Sequence, residues 1–359
     1  MDSSKVLTVI VAAYNMERFL PRCLDSMVIS PEAMGRLEIL IINDGSTDGT
    51  SRIAHGYESQ YPRTFAVVDK SNGNYGSCIE RGLSVASGLY VKTIDADDWV
   101  NTENFEKYIA YIISVADNGT GPDLIINDFE FVDEAKNTRT RKSYSFVMEP
   151  GFNVAGFTYK DGRDVWMHAV AYKTAKLRNI GYTQMHGVSY TDEEWISLPM
   201  TTVETIGYFP EVVYEYLLGR QGQTCAPDEY LKGFWMQILI LKKLITQYVD
   251  KQGQWGRNQE IYMHNHLLHR LELTYRTYLL TNSKYLDAKV LVDFDVFLCD
   301  KSPQLYGKTR GFQLEGWYKY PFVAAWGKNH RKNLVFAINV LFVRILRKFF
   351  SAIKHIKMW

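Results

Sequence analysis

Residues 37–50 read LEILIINDGSTDGT, a continuous apolar run that breaks at Asn43 into a polar, glycine-punctuated loop. A run without polar alternation is covered on both faces, as a central strand of a parallel sheet is. The same pattern recurs around it. Residues 6–13 (VLTVIVAA) run into AAYN, residues 64–69 (TFAVVD) into DKSNGNYGS, and residues 89–95 (LYVKTID) into DADDW. Amphipathic stretches at 21–27, 48–61 and 76–87 separate the runs and suit crossover helices. The alternation predicts βαβαβαβ, an α/β fold with a doubly wound, mostly parallel sheet flanked by helices. Such sheets bind ligands beyond the C-terminal ends of their strands. The four polar loops are therefore expected to meet on one edge.

The chain has 359 residues, more than one small core organises. Forty-one Lys+Arg against 40 Asp+Glu leave a formal charge of +1, so no global field draws in nucleic acid, and none is expected as a partner. Cys23, Cys78, Cys225 and Cys299 form no CxxC pair, which excludes a zinc ribbon and fits a reducing compartment. The first residues lack the basic region and cleavage site of a secretory signal. No run of 18 or more apolar residues marks a membrane span. A cytoplasmic protein is the expectation.

Beyond residue 118 the regularity falls. Residues 124–132 and 144–148 read as strands, and 233–248 and 259–281 as helices. His264, His266 and His269 share the second helix, but His264 and His266 project to different faces, which disfavours a metal site there. In residues 333–359 an apolar run (LVFAINVLFV) precedes Arg344, Arg347, Lys348, Ser351, Lys354 and His355 at helical spacing. A basic amphipathic helix of this kind suits an anionic membrane surface, which would place the protein peripherally on the inner face of the cell membrane; docking on protein is the alternative.

The chemistry concentrates in a few segments. Asp95-Ala96-Asp97-Asp98 ends the fourth predicted strand, and three carboxylates in four residues repel one another unless a positive charge joins them. Carboxylates on such a loop make an oxygen site for Mg²⁺ or Mn²⁺ beside a phosphate substrate, although an acidic turn alone is more often solvated. Asn43-Asp44-Gly45 follows the second strand, where Asp44 is placed to accept hydrogen bonds from a base or ribose, and Asp48 to cap the next helix. No Gly-Lys-Ser/Thr follows, so this is not a phosphate-binding P-loop.

In order and spacing, TVIVAAYN (8–15), CLDSM (23–27), LEILIINDGSTDGT (37–50), the SNGNYGS loop with its helix (71–88) and IDADDW (94–99) resemble the family 2 glycosyltransferases. The resemblance is specific over residues 5–100 and thins towards 220. It implies the GT-A fold and inverting transfer of a sugar from a nucleotide-sugar, UDP-linked, to an acceptor hydroxyl. It also implies that Ala13, Tyr14 and Asn15 with Asp44 cradle the nucleobase, and that Asp95 and Asp97 hold the ribose and the metal on the donor diphosphate.

Many relatives carry Arg-Asn where this chain has Ile79-Glu80, so the diphosphate's cation must come from elsewhere. Lys70 and Arg81 are the nearest candidates, and Arg220 in GRQGQT (219–224) is a further clamp. Inverting displacement needs a base for the acceptor proton. Asp192 in Tyr190-Thr191-Asp192-Glu193-Glu194-Trp195 matches the family's acidic motif and is favoured over its Glu neighbours, with Thr191 in place of the usual Glu. Thr191 and Glu194 also read as a capping box. His168 in VWMHAVAY is a candidate acceptor contact, with a satisfied core histidine as the commoner alternative.

The expected organisation is a GT-A domain over 1–220, divided into a nucleotide-sugar-binding half (1–117) and an acceptor half (118–220). A helical extension (221–332) and the basic helix (333–359) follow. The tail points to a lipid-linked saccharide acceptor of the polyprenyl-diphosphate kind in cell-envelope or exopolysaccharide synthesis; the oligomeric state stays open. The rivals are a nucleotidyltransferase acting on a sugar phosphate and a catalytically silent scaffold.

Overall fold

The computed structural model describes residues 4–220, 223, 226–314, 319–328, 330 and 341. Its strands are β1 (Leu7–Ala13), β2 (Leu37–Asn43), β3 (Phe65–Asp69), β4 (Tyr90–Asp95), β5 (Trp99–Val100), β6 (Leu124–Asp133), β7 (Thr138–Lys142), β8 (Val170–Lys173) and β9 (Ile206–Leu218). They form one sheet in the order β3-β2-β1-β4-β8-β6-β9-β5, with β7 paired to β6. The first four are parallel, and β8 turns the sheet antiparallel against β4. The fold is thus the mostly parallel GT-A-type α/β sheet that the alternation predicts.

Val9, Ile10, Ile39, Ile41, Val91 and Ile94 are wholly buried, because crossover helices cover both faces of the parallel half. These helices are α1 (Leu20–Ser26), α2 (Pro31–Gly35), α3 (Thr50–Gln60) and α4 (Asn74–Val85). The register makes the strands finish together: Ala13 lies opposite Asn43, Asn43 opposite Asp69, and Ala12 opposite Asp95. That alignment, set by the length of each apolar run, brings the polar loops to one edge. Asp48 accepts the backbone N–H of Thr50 at 2.9 Å and so ties down the start of α3.

The half after residue 118 departs from expectation at 144–148. Residues 144–148 are not a strand; Ser145–Met148 is a 3₁₀ turn. The Tyr144 N–H is taken by the Asp128 carboxylate at 2.8 Å instead of a sheet partner. Phe146 packs among Tyr144, Phe152 and Phe157, so its ring belongs to a local aromatic cluster rather than a sheet face. Strand β7 (TRTRK) is polar and almost wholly exposed, which leaves no hydrophobic alternation to announce it.

Further helices include α5 (Thr102–Asp117), α6 (Thr174–Asn179), α7 (Asp192–Trp195), α8 (Pro227–Lys232) and α9 (Phe234–Lys251). The chain divides into two compact units, Met1–Met236 with Gln252–Met263, and Gln237–Lys251 with His264–Trp359. The first holds the sheet. In the second, buried Asp295 accepts hydrogen bonds from Tyr275 and Arg310 and pairs with His330 at 3.1 Å. His266 is buried, and burial pushes its imidazole down to about 3. The helix holding His264, His266 and His269 contributes no metal-ligand cluster among the described residues. No helix among them is long and apolar enough to cross a membrane. The basic amphipathic stretch at 333–359 lies outside the described residues apart from Leu341.

Gly82 is where α4 meets β1. A Cβ there would stand 2.7 Å from Cγ2 of fully buried Ile10. Gly82→Ala is expected to destabilise the fold by about 1–3 kcal/mol, less the helix-propensity gain, despite adding only a methyl. A urea midpoint at or above wild type would contradict this close packing.

Candidate active site

The parallel strands deliver three linked loops. Ala13 O, at the end of β1, accepts the Asp44 N–H at 2.9 Å. The Asn15 side chain accepts the Thr47 N–H at 2.8 Å, and its own N–H donates to Ser46 at 3.0 Å, so the first two loops are stitched together. Asn15 holds φ +53, a left-handed conformation that Asn tolerates better than most residues. Tyr14 stands 47% exposed beside this pair, a flat ring open to solvent. Asp44 is 2% exposed and accepts from the Lys70 ammonium and from Gly73 N–H at 3.0 Å. Lys70 also donates to Ser77 at 2.8 Å. It therefore helps shape the Asp44 pocket. Arg81 lies on the exposed face of α4, and its guanidinium donates to Ser84 at 3.4 Å.

The DADD turn hangs from β9. The Tyr214 hydroxyl accepts the Asp95 N–H at 3.1 Å and donates to Asp98 at 2.6 Å, while Leu217 N–H donates to the other Asp98 oxygen at 2.8 Å. Asp98 is 1% exposed, and burial, then Asp97 and Asp95, raise its carboxyl well above the usual range. Burial, followed by the neighbouring Asp97, pushes Asp95 up to about 7; Asp192 raises it further and Arg220 opposes this. Arg220, just past β9, donates from Nε to Asp97 at 2.7 Å and lies over the Phe19 ring at 5.3 Å. Beneath the turn, the buried Cys23 thiol donates to Asp95 O at 3.7 Å.

Asp192 opens α7 and is half-buried, within electrostatic reach of Asp95 and of the buried Tyr75 hydroxyl. Its placement depends on a contact between the two halves of the sheet unit. Gly187 N–H donates to Gly73 O at 3.0 Å, and a Cβ on Gly76 would collide with the backbone oxygen of Met185. The glycines at the start of α4 thus let the 184–187 segment lie directly against it. The expected capping box does not form. Thr191 already has helical backbone angles (φ −75°, ψ −1°), its side chain makes no cap bond, and Glu194, wholly buried, accepts the Met185 N–H at 2.8 Å instead. Glu194 thereby ties the helix that carries Asp192 to the segment packed on α4.

His168 is 5% exposed, yet it is not the satisfied core histidine that its setting suggests: Nδ1 has no hydrogen-bond partner among the described residues. Burial, then Lys92, pushes its imidazole down to about 3. Lys92, in mid-strand of β4, is wholly buried. Its ammonium donates to Asn127 at 3.1 Å and to His168 O at 2.7 Å, and burial pushes it down to about 7.

The structure therefore brings together Ala13, Tyr14, Asn15 and Asp44 at one end of the edge and Asp95, Asp97, Arg220 and Asp192 at the other. Tyr214, Tyr75 and Glu194 are parts of this site that sequence reasoning missed. The one available signal was Lys92, a charge inside an otherwise apolar strand.

The sheet order with an acidic turn on its edge defines an α/β protein of the GT-A type. Residues 1–349 of TarS from S. aureus share this fold with a TM-score of 0.61 at 14% identity, over 98% of this chain and 93% of that one. Residues 8–181 match the family described as Glycosyl transferase family 2. YibD of Escherichia coli, an uncharacterised glycosyltransferase, is 37% identical over 264 residues, spanning 70% of this chain and 74% of the relative. The chain belongs to the family 2 glycosyltransferases. An uncharacterised glycosyltransferase of Mycoplasma pneumoniae is 32% identical over 146 residues, 40% of this chain and 46% of its own length. EpsH of Bacillus subtilis is a putative glycosyltransferase 30% identical over 146 residues, 40% of each chain. The chain thus spans less than half the length of these two relatives.

Tyr214→Phe removes one hydroxyl that serves both Asp95 and Asp98. A loss of about 1–3 kcal/mol in stability is expected, because a buried carboxylate is left short of a donor. An unchanged denaturation midpoint would show that the turn does not hang from β9.

Proposed function

We propose that the protein transfers a hexosyl group from a UDP-linked sugar to an acceptor hydroxyl with inversion at the anomeric carbon. The observation that carries the reading is that Asp192 and Asp95, from opposite halves of the sheet unit, lie within electrostatic reach of each other while Asp44 waits at the far end of the same edge. TarS has been crystallised with UDP-GlcNAc and with UDP, which supports a nucleotide-sugar on this fold. GgaB of Bacillus subtilis, 29% identical over 104 residues, is a minor teichoic acid biosynthesis protein, which supports a cell-surface polymer as the product.

In this reading the Tyr14 ring and the Asp44 carboxylate receive the base, and the diphosphate lies across the DADD turn. The residues fit a divalent cation: the donor set is rich in carboxylate, and at buried Asp95 the hydrogen bond from Tyr75 is set against the neighbouring negative charges of Asp97 and Asp192. Asp95 and Asp97 are the ligands that the Asp-x-Asp pattern nominates. A bound Mg²⁺ or Mn²⁺ supplies positive charge against the diphosphate. Arg220 adds a guanidinium on the same side, held by Asp97 until a phosphate competes for it.

Asp192 accepts the proton of the acceptor hydroxyl as that oxygen attacks the anomeric carbon. The bond to the diphosphate breaks on the opposite side, and the nucleoside diphosphate leaves. A carboxylate with a reference pKa near ~4 cannot deprotonate an alcohol beforehand, so proton transfer accompanies attack. The basic stretch at 333–359 supports a lipid-linked saccharide as acceptor, presented at a membrane surface.

Calorimetry with UDP, GDP and CMP, each with Mn²⁺ and with EDTA, tests the donor site. Metal-dependent UDP binding, weakened in Asp97→Asn, is expected; no nucleotide binding would return weight to a silent scaffold. Asp192→Asn should retain that binding and lose about 10²–10⁴-fold in turnover. Free UDP as product supports glycosyl transfer, whereas pyrophosphate would mark nucleotidyl transfer.

A further inference from the structure

Past the DADD turn the sheet carries a row of rings that the donor has no need of. Val91 lies opposite Tyr172, and Tyr172 opposite Leu124, so Asp95 falls level with Asp128. The last residues of β6, Phe129–Asp133, therefore run beyond the end of β4, paired with Tyr214–Leu218 of β9. One face of this extension is closed by the chain itself: Val132 and Leu217 are buried with Trp99, and Phe19 packs against them. The other face carries Phe129, Phe131, Tyr214 and Tyr216, joined by Trp166 and His168 from the segment before β8.

Burial falls outward along that face. Phe129 and Tyr214 are wholly buried, whereas Phe131, Trp166 and Tyr216 are half-buried. The row starts at the acidic turn, where a ring nitrogen of His168 and one carboxylate oxygen each of Asp95 and Asp98 lie within 4.8 Å of one another. Tyr216 stacks on His168 at 4.5 Å, Phe131 meets Tyr216 at 5.8 Å, and Trp166 stands edge-on to Phe131 at 5.3 Å. Aromatic walls of this kind give a ligand contact area, and a few polar groups at their rim fix its orientation.

Sheet order says which substrate lies there. Asp44 follows β2, and the order β3-β2-β1-β4-β8-β6-β9 puts the rings on the far side of the DADD turn from it. With the base at Asp44 and the diphosphate on the turn, the strip beyond falls to the acceptor. Charge says what kind of acceptor. Asp164 accepts the Trp166 indole N–H on one oxygen and the Lys142 ammonium on the other, and Arg139 is engaged by Glu130 and Glu215. A rim carboxylate beside cations already paired repels an anion.

We propose that Phe131, Trp166 and Tyr216 form an acceptor subsite for an uncharged pyranose. The sugar's axial C–H groups rest on the rings, and one of its hydroxyls donates to Asp164, whose oxygens each keep a second lone pair. This deepens the reading above and rests on its placement of the donor.

The test uses the full chain labelled with 5-fluorotryptophan, with UDP present. The probes are the methyl pyranosides of glucose, galactose and mannose, with glycerol 3-phosphate as the anionic comparison. Loss of one ¹⁹F resonance in Trp166→Phe identifies the Trp166 signal. At least one glycoside is expected to shift that signal and to take up saturation from the protein's aromatic protons at its axial C–H positions. The second readout needs no variant. Trp166→Ala should weaken that glycoside about tenfold while UDP binds as it does to wild type. No glycoside acting on either readout, or glycerol 3-phosphate shifting the signal where glycosides do not, would overturn the inference. UDP calorimetry on the same samples separates the two readings. UDP binding without a glycoside signal removes the subsite and leaves the donor site standing; a glycoside signal without UDP binding does the reverse.

Discussion

Three carboxylates in four residues must be held together against their own repulsion, and much of the molecule's second half is arranged around that need. The turn cannot be stabilised by its own strand, because β4 ends at Asp95. It is held from across the sheet: one tyrosine hydroxyl, one backbone amide and one guanidinium, all from β9 or the residues just past it. This explains why β9 runs for 13 residues, longer than the other strands described. It must pair with β6 and still reach the turn. The β5 dipeptide, Trp99–Val100, locks the far side of the turn onto the same strand.

A second constraint joins the two halves of the sheet unit. Gly73 and Gly76 flank the start of α4, so the 184–187 segment lies directly on it through backbone contacts. Buried Glu194 then fixes that segment to the helix bearing Asp192. The distance between donor carboxylate and candidate base therefore depends on backbone packing more than on flexible side chains.

The parallel half was legible because its signals are local. Four largely apolar runs define four strands, and their equal endings place four loops on one edge. The antiparallel half was less legible because its determinants are long-range. Residues 144–148 look like a strand until the Asp128 carboxylate, sixteen positions away, takes the Tyr144 amide. Thr191 and Glu194 have the spacing of a capping box, yet Glu194 is drawn away by Met185. Arg220 reads as a candidate clamp on its loop, but its partner Asp97, 123 positions earlier, is set by the path of β9. Of the rings around His168 only Trp166 stands in VWMHAVAY; Phe129, Tyr214 and Tyr216 come from β6 and β9 and are invisible there.

The glycine contact between residues 73–76 and 184–187 also limits how the fold can be recombined. Exchange of nucleotide-binding halves between relatives is an attractive way to alter a glycosyltransferase, with the junction placed near residue 118 where regularity falls. Such a chimera would unite a first half with a second half whose loop grew up against different side chains. Any residue larger than glycine at position 76 would push the loop away, and with it α7. A transplantable module of this protein is therefore discontinuous: it consists of the first half together with the short segment that rests on α4.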